Sequence, residues 1–236
     1  DAKIFADGYN LKGNKPDKKT WSPNELNYID MKQQQKGLYV PSMEKDSCGT
    51  GFIANLNGIK SHKVIEDALT MLQNMEHRGA CGCEENTGDG AGILIQIPHD
   101  FFKKKAKGAG FVLPEFGKDG GGMVFFPQGK VLREQCRFLL NDYIDELGFE
   151  LLGYRKVPTH NEEIGPSALA VEPKMEQVFV TPKVEMDPKT LERKLYVLRK
   201  FATHKIFTTY PAVKNDFYIT SFSYKTIVYK GQMTTW

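Results

Sequence analysis

The sequence predicts a mixed α+β fold in which strands and helices pack as a layered sandwich. From residue 48 onward, runs with strand patterning alternate with runs of helical spacing. The last two predicted strands are neighbours in sequence and are joined by a short turn, which is typical of a mixed or layered architecture. No internal repeat interrupts this order.

The 236-residue chain has a balanced composition that excludes several classes of protein. It has 32 Lys and Arg and 29 Asp and Glu, so it lacks the concentrated positive charge that is typical of a nucleic-acid-binding protein. The 15 Phe and 10 Tyr supply a core, yet no apolar run approaches the ~18 residues of a membrane-spanning helix. Four Cys and the absence of a signal-peptide pattern at the start predict a cytoplasmic chain with free thiols, bound to neither nucleic acid nor membrane.

Residues 1–47 differ from the rest and predict an extended arm rather than a folded domain. This stretch is rich in Lys, Asn and Gln, and its apolar side chains are isolated, without a helical or strand period. Met31 offers an alternative native start, which would make residues 1–30 an extension. Residues 48–236 form the predicted domain.

The first half of this domain predicts a strand, a helix and two further strands. Residues 48–55 have strand composition and are bounded by Gly on one side and an Asn-Gly turn on the other. Ser61 is a suitable N-cap for a helix that runs to about Glu76, because the apolar residues between them keep helical spacing. Two strands follow at residues 93–97 and 123–126, each closed by a proline.

The second half predicts two long helices and four strands. The most regular helix covers residues 130–147, and Gly148 supplies its C-terminal stop. A second long helix covers residues 188–207. The predicted strands are residues 149–157, 177–180, 217–222 and 226–229.

Cys48 is the first candidate for chemistry, because it begins a predicted strand and the Gly-Thr-Gly that follows leaves its thiol uncrowded. The local sequence leaves two interpretations open: a small buried residue, which is common for a free Cys, or a nucleophile. If the chain were cut after Ser47, the thiol and a free α-amino group would share one residue. An α-amine, with a pKa of about 7.7–8.0, is well matched to accept a thiol proton near neutral pH.

Arg78 lies at the end of the first predicted helix, next to His77 and before Gly79. Cations at this position commonly interact only with the helix dipole. The functional alternative is that Arg78 points to a nucleophile or an anionic intermediate. The Gly-rich loop that follows, residues 86–92, matches neither a Walker A sequence nor a dinucleotide-binding motif.

Cys81 and Cys83, with Glu84 nearby, suggest a metal site. A zinc site normally needs two spaced pairs of ligands, and the remaining cysteine, Cys136, lies on the apolar face of a predicted helix. The pattern therefore argues against a metal in this chain.

Four segments carry specific motifs: residues 46–54 (DSCGTGFIA), 64–69 (VIEDAL), 75–80 (MEHRGA) and 85–102 (ENTGDGAGILIQIPHDFF). Together they resemble the N-terminal glutaminase domain of the glutamate synthase large subunit. A looser similarity continues to residues 217–231 (FYITSFSYKTIVYKG), so that the resemblance covers residues 48–236.

The resemblance implies a class II glutamine amidotransferase with the N-terminal-nucleophile hydrolase fold, a four-layer αββα sandwich. It identifies Cys48 as the nucleophile, exposed by removal of the arm as a propeptide, and Arg78 as the residue that orients it. Gly79 and Asp89 match substrate-binding positions. The α-amine of Cys48 would act as base and then as acid while glutamine is hydrolysed to glutamate and ammonia.

The ammonia would serve a synthase domain that reductively aminates 2-oxoglutarate. The resemblance places FMN and an iron–sulfur cluster in that synthase part and no cofactor in this chain. The expected partners are glutamine, the rest of the large subunit, and a small subunit or ferredoxin.

Two other functions remain open from the sequence. The first is a non-catalytic interaction module, and the second is a class II amidotransferase with another ammonia acceptor. The sequence ends at Trp236, before the family's Arg-Phe-Ser-Thr segment and its Asn-Gly oxyanion pair. We therefore expect this chain by itself not to hydrolyse glutamine.

Overall fold

The computed structural model describes residues 49–75, 84, 86–88 and 90–231. Within these ranges the strands are β1 (Ala91–Gln96), β2 (Gly120–Phe126), β3 (Phe149–Lys156), β4 (Lys174–Pro182), β5 (Tyr218–Ser223) and β6 (Thr226–Gly231). The helices are α1 (His62–Asn74), α2 (His99–Gly108), α3 (Lys130–Glu146), α4 (Pro166–Ala170) and α5 (Pro188–Thr209). A 3₁₀ turn, Pro211–Val213, precedes β5.

The strands of the described ranges pair in an antiparallel manner in two sheets. One sheet has the order β3-β4-β2-β5, and β1 pairs with β6 in the other. Helices α3 and α5 cover one face of the four-stranded sheet, while the β1–β6 sheet and α2 cover its second face. Helix α1 packs against β1. The layers therefore follow the order helix, sheet, sheet, helix, which confirms the predicted α+β class and its αββα arrangement.

The core between α5 and β2 depends on a close approach that only glycine permits. Leu195 of α5 is fully buried there. A Cβ added to Gly120 would lie 2.6 Å from both methyl carbons of Leu195. A run of three glycines is typical of a loop in sequence, but pairing with β4 makes residues 120–122 part of β2. The strand is consequently longer than the predicted 123–126.

The second core lies between the two sheets and includes α2. Phe179 of β4 is 2% exposed and contacts the ring of Phe102 at a centroid distance of 5.3 Å. Its neighbours in sequence, Val178 and Val180, belong to the other core, since successive strand residues point to opposite faces. β4 is therefore buried on both faces at its centre.

The helix ends agree with the predicted caps. The Ser61 side chain accepts a hydrogen bond from the Lys63 backbone N at 3.2 Å, which satisfies a free donor of the first turn of α1. Gly148 follows α3 with φ of 82°, a left-handed conformation that favours glycine. Both predictions are confirmed.

One prediction for the strands is wrong. Residues 49–55 form no strand, because no strand of the described ranges pairs with them. Phe52 in this segment is 90% exposed. The predicted strands at 217–222 and 226–229 are confirmed as β5 and β6. Between them the chain turns at residues 224–225 and passes from the four-stranded sheet to the second sheet.

Asp119, just before β2, is a buried carboxyl that is only 7% exposed. Its Oδ1 lies 3.8 Å from Nδ1 of His99, the first residue of α2. Burial raises the pKa of Asp119 to about 6, although the charges of His99 and Lys103 and its own backbone hydrogen bond act in the opposite direction. The folded chain therefore holds a proton that the unfolded chain releases at lower pH.

We expect Asp119→Asn to stabilise the protein above about pH 6 and to leave its stability nearly unchanged near pH 4. The reason is that the wild type loses stability as pH rises from about 4, near the ordinary pKa of Asp, to about 6, the pKa of Asp119 in the folded chain. Asn stays neutral throughout. The difference in unfolding free energy should reach on the order of 1–3 kcal/mol at neutral pH. Urea denaturation across this pH range measures it. The exposed Asp142→Asn is the control, and equal behaviour of the two variants would contradict the prediction.

Candidate functional site

The predicted site residues Cys48, Arg78, Gly79 and Asp89 lie outside the described residues. The structure does describe their near neighbours along the chain. Gly49 follows Cys48, Met75 is the C-cap of α1, and Gly88 and Gly90 flank Asp89. Two cavities are lined by these neighbours or by residues next to them.

The first cavity near these neighbours lies between residues 49–60, α1 and β1, and we call it cavity A. Its volume is about 860 Å³. Both Gly49 and Met75 line it, together with the apolar side of α1. None of the α1 residues is fully buried, so this helix covers β1 loosely.

The second cavity, cavity B, lies at the end of the sandwich where β1 begins and β6 ends. Its volume is about 1040 Å³. Its walls are mostly apolar and include Ala91, the first residue of β1, and several residues of the long segment 157–173 after β3. Cavities A and B share Leu72, Gly92 and Ile93 as lining residues. An apolar cavity with a few polar groups is typical of a site for a small molecule.

Polar groups on one wall of cavity B are joined by hydrogen bonds. Asn161 Nδ2 donates to Glu172 Oε2 at 2.7 Å, and Gln128 Nε2 donates to the carbonyl oxygens of Ala170 and Glu172 at 3.1 and 2.8 Å. Asn161 Oδ1 is buried and accepts no hydrogen bond from the described part of the chain. This wall therefore has a fixed shape and one buried acceptor.

A second set of polar contacts crosses from the four-stranded sheet to Tyr229, which also lines cavity B. Gln177 of β4 is fully buried between the sheets. Its Oε1 accepts from Arg155 Nη1 at 2.7 Å, and its Nε2 donates to the Tyr229 hydroxyl at 2.8 Å. Burial raises the pKa of Tyr229, while the hydrogen bond from Gln177 and the charge of Arg155 lower it in part. Tyr229 is thus a neutral phenol with a fixed orientation.

Glu84 connects the Gly-rich loop to α4, whose Ala168 lines cavity B. Its two carboxylate oxygens accept from the backbone N of Ser167 at 3.1 and 3.0 Å, and Oε1 also accepts from the Ser167 hydroxyl. Oε2 accepts from the Thr87 hydroxyl at 2.8 Å. The hydrogen bond from the Ser167 side chain is the main cause that lowers the pKa of Glu84, followed by the bond from Thr87. The carboxylate that the sequence offered as a metal ligand is occupied by these donors.

Two further properties concern the described part of the chain as a whole. Among its residues, no three of His, Cys, Asp and Glu lie close enough together to hold a metal ion. None of its helices is both long and apolar enough to cross a membrane.

Residues 48–236 match the family described as class-II glutamine amidotransferases, and the chain belongs to this family. The match begins at Cys48, the residue that the sequence singled out, and covers the whole described part of the chain. The layered α+β structure agrees with the N-terminal-nucleophile hydrolase fold expected for it.

Proteins that are similar to this chain in sequence are glutamate synthases. The chain is 41% identical over 205 residues to glutamate synthase [NADH] of Schizosaccharomyces pombe, which covers 84% of this chain and 9% of that protein. It is 41% identical over 210 residues to the glutamate synthase [NADPH] large chain of Bacillus subtilis, covering 89% and 13%. It is 37% identical over 190 residues to ferredoxin-dependent glutamate synthase 1 of Arabidopsis thaliana, covering 80% and 12%. The chain spans about a tenth of the length of these relatives.

Sequence reasoning missed the contacts that join distant segments around cavity B. Glu84 and Ser167 are 83 residues apart, and Gln177 and Tyr229 are 52 residues apart. The 161–172 segment (NEEIGPSALAVE) carries no functional motif, so its place in the cavity wall could not be predicted.

Proposed function

We propose that this chain is the glutaminase domain of a glutamate synthase, with Cys48 as its nucleophile. The observation that carries the proposal is the family match, because it begins at Cys48. The relatives described above are all glutamate synthases, and the similarity covers at least 80% of this chain in each.

The proposed reaction begins with a free α-amino group on Cys48, so residues 1–47 are removed first. The thiol proton passes to this amine, and the sulfur attacks the carboxamide carbon of glutamine. The amine then returns the proton to the nitrogen, the C–N bond breaks and ammonia leaves. Water attacks the γ-glutamyl thioester, which releases glutamate and restores the thiol.

The other predicted site residues assist this reaction. Arg78 follows α1 closely, since the helix ends at Asn74, and its positive charge favours the thiolate form of a nearby cysteine. Gly79 and Asp89 bind glutamine. A reducing cytoplasmic compartment keeps the thiol active.

The ammonia is used outside this chain, in reductive amination of 2-oxoglutarate. FMN and an iron–sulfur cluster belong to that synthase part. The names of the relatives include NADH, NADPH and ferredoxin as electron donors, so the partner is either a small subunit that delivers electrons from a nicotinamide or ferredoxin itself.

Alkylation of the complete protein with iodoacetamide tests the proposal. Glutamine-dependent activity should disappear at the rate at which the peptide starting at Cys48 is labelled, glutamine should protect that peptide, and Arg78→Ala should slow its labelling. Cys136 is an internal control, because it is fully buried in the core and burial raises the pKa of its thiol to about 11.

Two outcomes would overturn the proposal. One is full labelling of Cys48 without loss of glutamine-dependent activity. The other is a mature, active protein in which Cys48 still carries the preceding residue, since the proposed base would then be absent.

A further inference from the structure

We propose that Glu84 is a positioning residue that fastens the Gly-rich loop to the wall of cavity B and thereby sets the geometry for glutamine binding. This inference rests on the proposed function. Glu84, Thr87, Gly165 and Ser167 make the contact, and we call them the clasp.

The hydrogen bonds of the clasp converge on one carboxylate. Glu84 accepts from the backbone N and the hydroxyl of Ser167 and from the hydroxyl of Thr87. The backbone N of Thr87 also donates to the Glu84 carbonyl oxygen at 3.3 Å, which closes a turn in the loop. Hydrogen bonds to an ionised carboxylate are stronger than those between neutral groups, so these donors hold the loop at a defined place.

Gly165 allows the clasp to close. A Cβ at this position would lie far inside van der Waals contact with Thr87 Oγ1 and Glu84 Oε2. The backbone of Gly165 has φ of −59° and ψ of 147°, a conformation open to every residue and favoured before proline. Glycine is therefore required here by the close approach of the clasp and not by the conformation of the backbone.

The clasp joins two segments whose neighbouring residues line cavity B. On one side, the loop that contains Glu84 and Thr87 leads through Asp89 and Gly90 into β1, whose first residue Ala91 lines the cavity. On the other side, Ile164 and Ala168 flank the clasp and line the cavity as well. Breaking the clasp should therefore shift residues 86–88 and the start of β1 relative to α4. A misplacement of about 1 Å can cost on the order of 10² in rate.

The clasp lies apart from both buried cores. None of its residues belongs to the clusters that hold the sheets and helices together, and neither Glu84 nor Ser167 is buried. Its loss should thus affect glutamine binding much more than folding, and this difference separates a positioning role from a structural one.

The test compares Glu84→Gln, Ser167→Ala and Gly165→Ala in the complete protein. Glu84→Gln keeps the size of the side chain but removes its charge, and Gly165→Ala keeps every hydrogen-bonding group but blocks the approach. Each should lower kcat/KM for glutamine by about 10- to 100-fold, mainly through KM, while ammonia-dependent activity and the melting temperature stay at wild-type values. Combining Glu84→Gln with Ser167→Ala should add little to either change alone. The control is Gly108→Ala, because a Cβ at Gly108 meets nothing within 4 Å.

The outcomes are distinguishable from failure of the proposed function. If Cys48→Ala abolishes glutamine use but the clasp variants keep the wild-type kcat/KM, the clasp proposal is wrong and the glutaminase proposal stands. If the clasp variants lose both activities and melt earlier, Glu84 is structural and the proposal is also wrong. Retention of glutamine use by Cys48→Ala would overturn the glutaminase assignment itself.

Discussion

Replacing Cys48 by alanine should abolish glutamine-dependent glutamate formation while ammonia-dependent formation continues. Alanine has no group that can form the thioester, and loss of a nucleophile from a catalytic set has cost on the order of 10⁶ in kcat in another hydrolase. Ammonia supplied in solution bypasses this step, because it enters the reaction after glutamine hydrolysis. Initial rates with each nitrogen source, measured on the complete protein, give both values.

The matched control is Cys136→Ala. Cys136 is fully buried among the apolar residues of α3 and has no place in the proposed reaction. Both activities of this variant should stay at the wild-type level, with a modest loss of stability from the smaller side chain. Glutamine-dependent turnover by Cys48→Ala at more than a trace level would contradict the assignment of the nucleophile.

The largest effect on stability is expected for Phe179→Ala, at about 3–5 kcal/mol of unfolding free energy. The ring lies between the two sheets, where it contacts Phe102 and Phe111 at centroid distances of 5.3 and 5.7 Å. Gly121 of β2 leaves the space that it occupies, since a Cβ there would lie 3.3 Å from the ring. Truncation removes these contacts and leaves a cavity that the paired strands on both sides cannot close.

Chemical denaturation of the full chain measures this loss, with Phe138→Ala as the control. Phe138 is on the outer side of α3 and is 67% exposed. Its truncation should change the unfolding free energy by no more than about 0.5 kcal/mol. If both variants lose the same amount, the two sheets do not share the core described here.

Much of the secondary structure could be predicted because it depends on local chemistry. The apolar spacing of α3 and α5 repeats every three or four residues, Ser61 can cap a helix with its own side chain, and Gly148 can end one. Strand β1, whose residues alternate between partly buried and exposed, ends at Gln96, shortly before Pro98. Proline has no backbone N–H to donate to a neighbouring strand. In each case the residues that decide the outcome are neighbours in sequence.

Local chemistry was not enough to predict the structure of residues 49–55. Their composition favours an extended chain, but a strand also needs a partner for its backbone groups, and the described part of the chain provides none. The glycine run at the start of β2, residues 120–122, is the opposite case. Its composition predicts a loop, but it forms a strand because β4 and β5 pair with it and Leu195 packs over it.

The candidate site divides along the same line. Cys48, the proposed nucleophile, and Arg78, the residue proposed to orient it, were singled out because short motifs around them resemble those of a known family. The contact between Glu84 and Ser167 was not found, since these residues lie 83 positions apart and carry no motif.

The sequence by itself determined the family, the residues proposed for chemistry and most helices and strands. Only the tertiary structure decided that β5 and β6 enter different sheets, that Gln177 connects those sheets through Tyr229, and that Glu84 meets Ser167. The physical reason is that caps, turns and periodic faces arise from interactions over a few residues. Partners brought together by chain topology are chosen by burial and close packing, which no local pattern records.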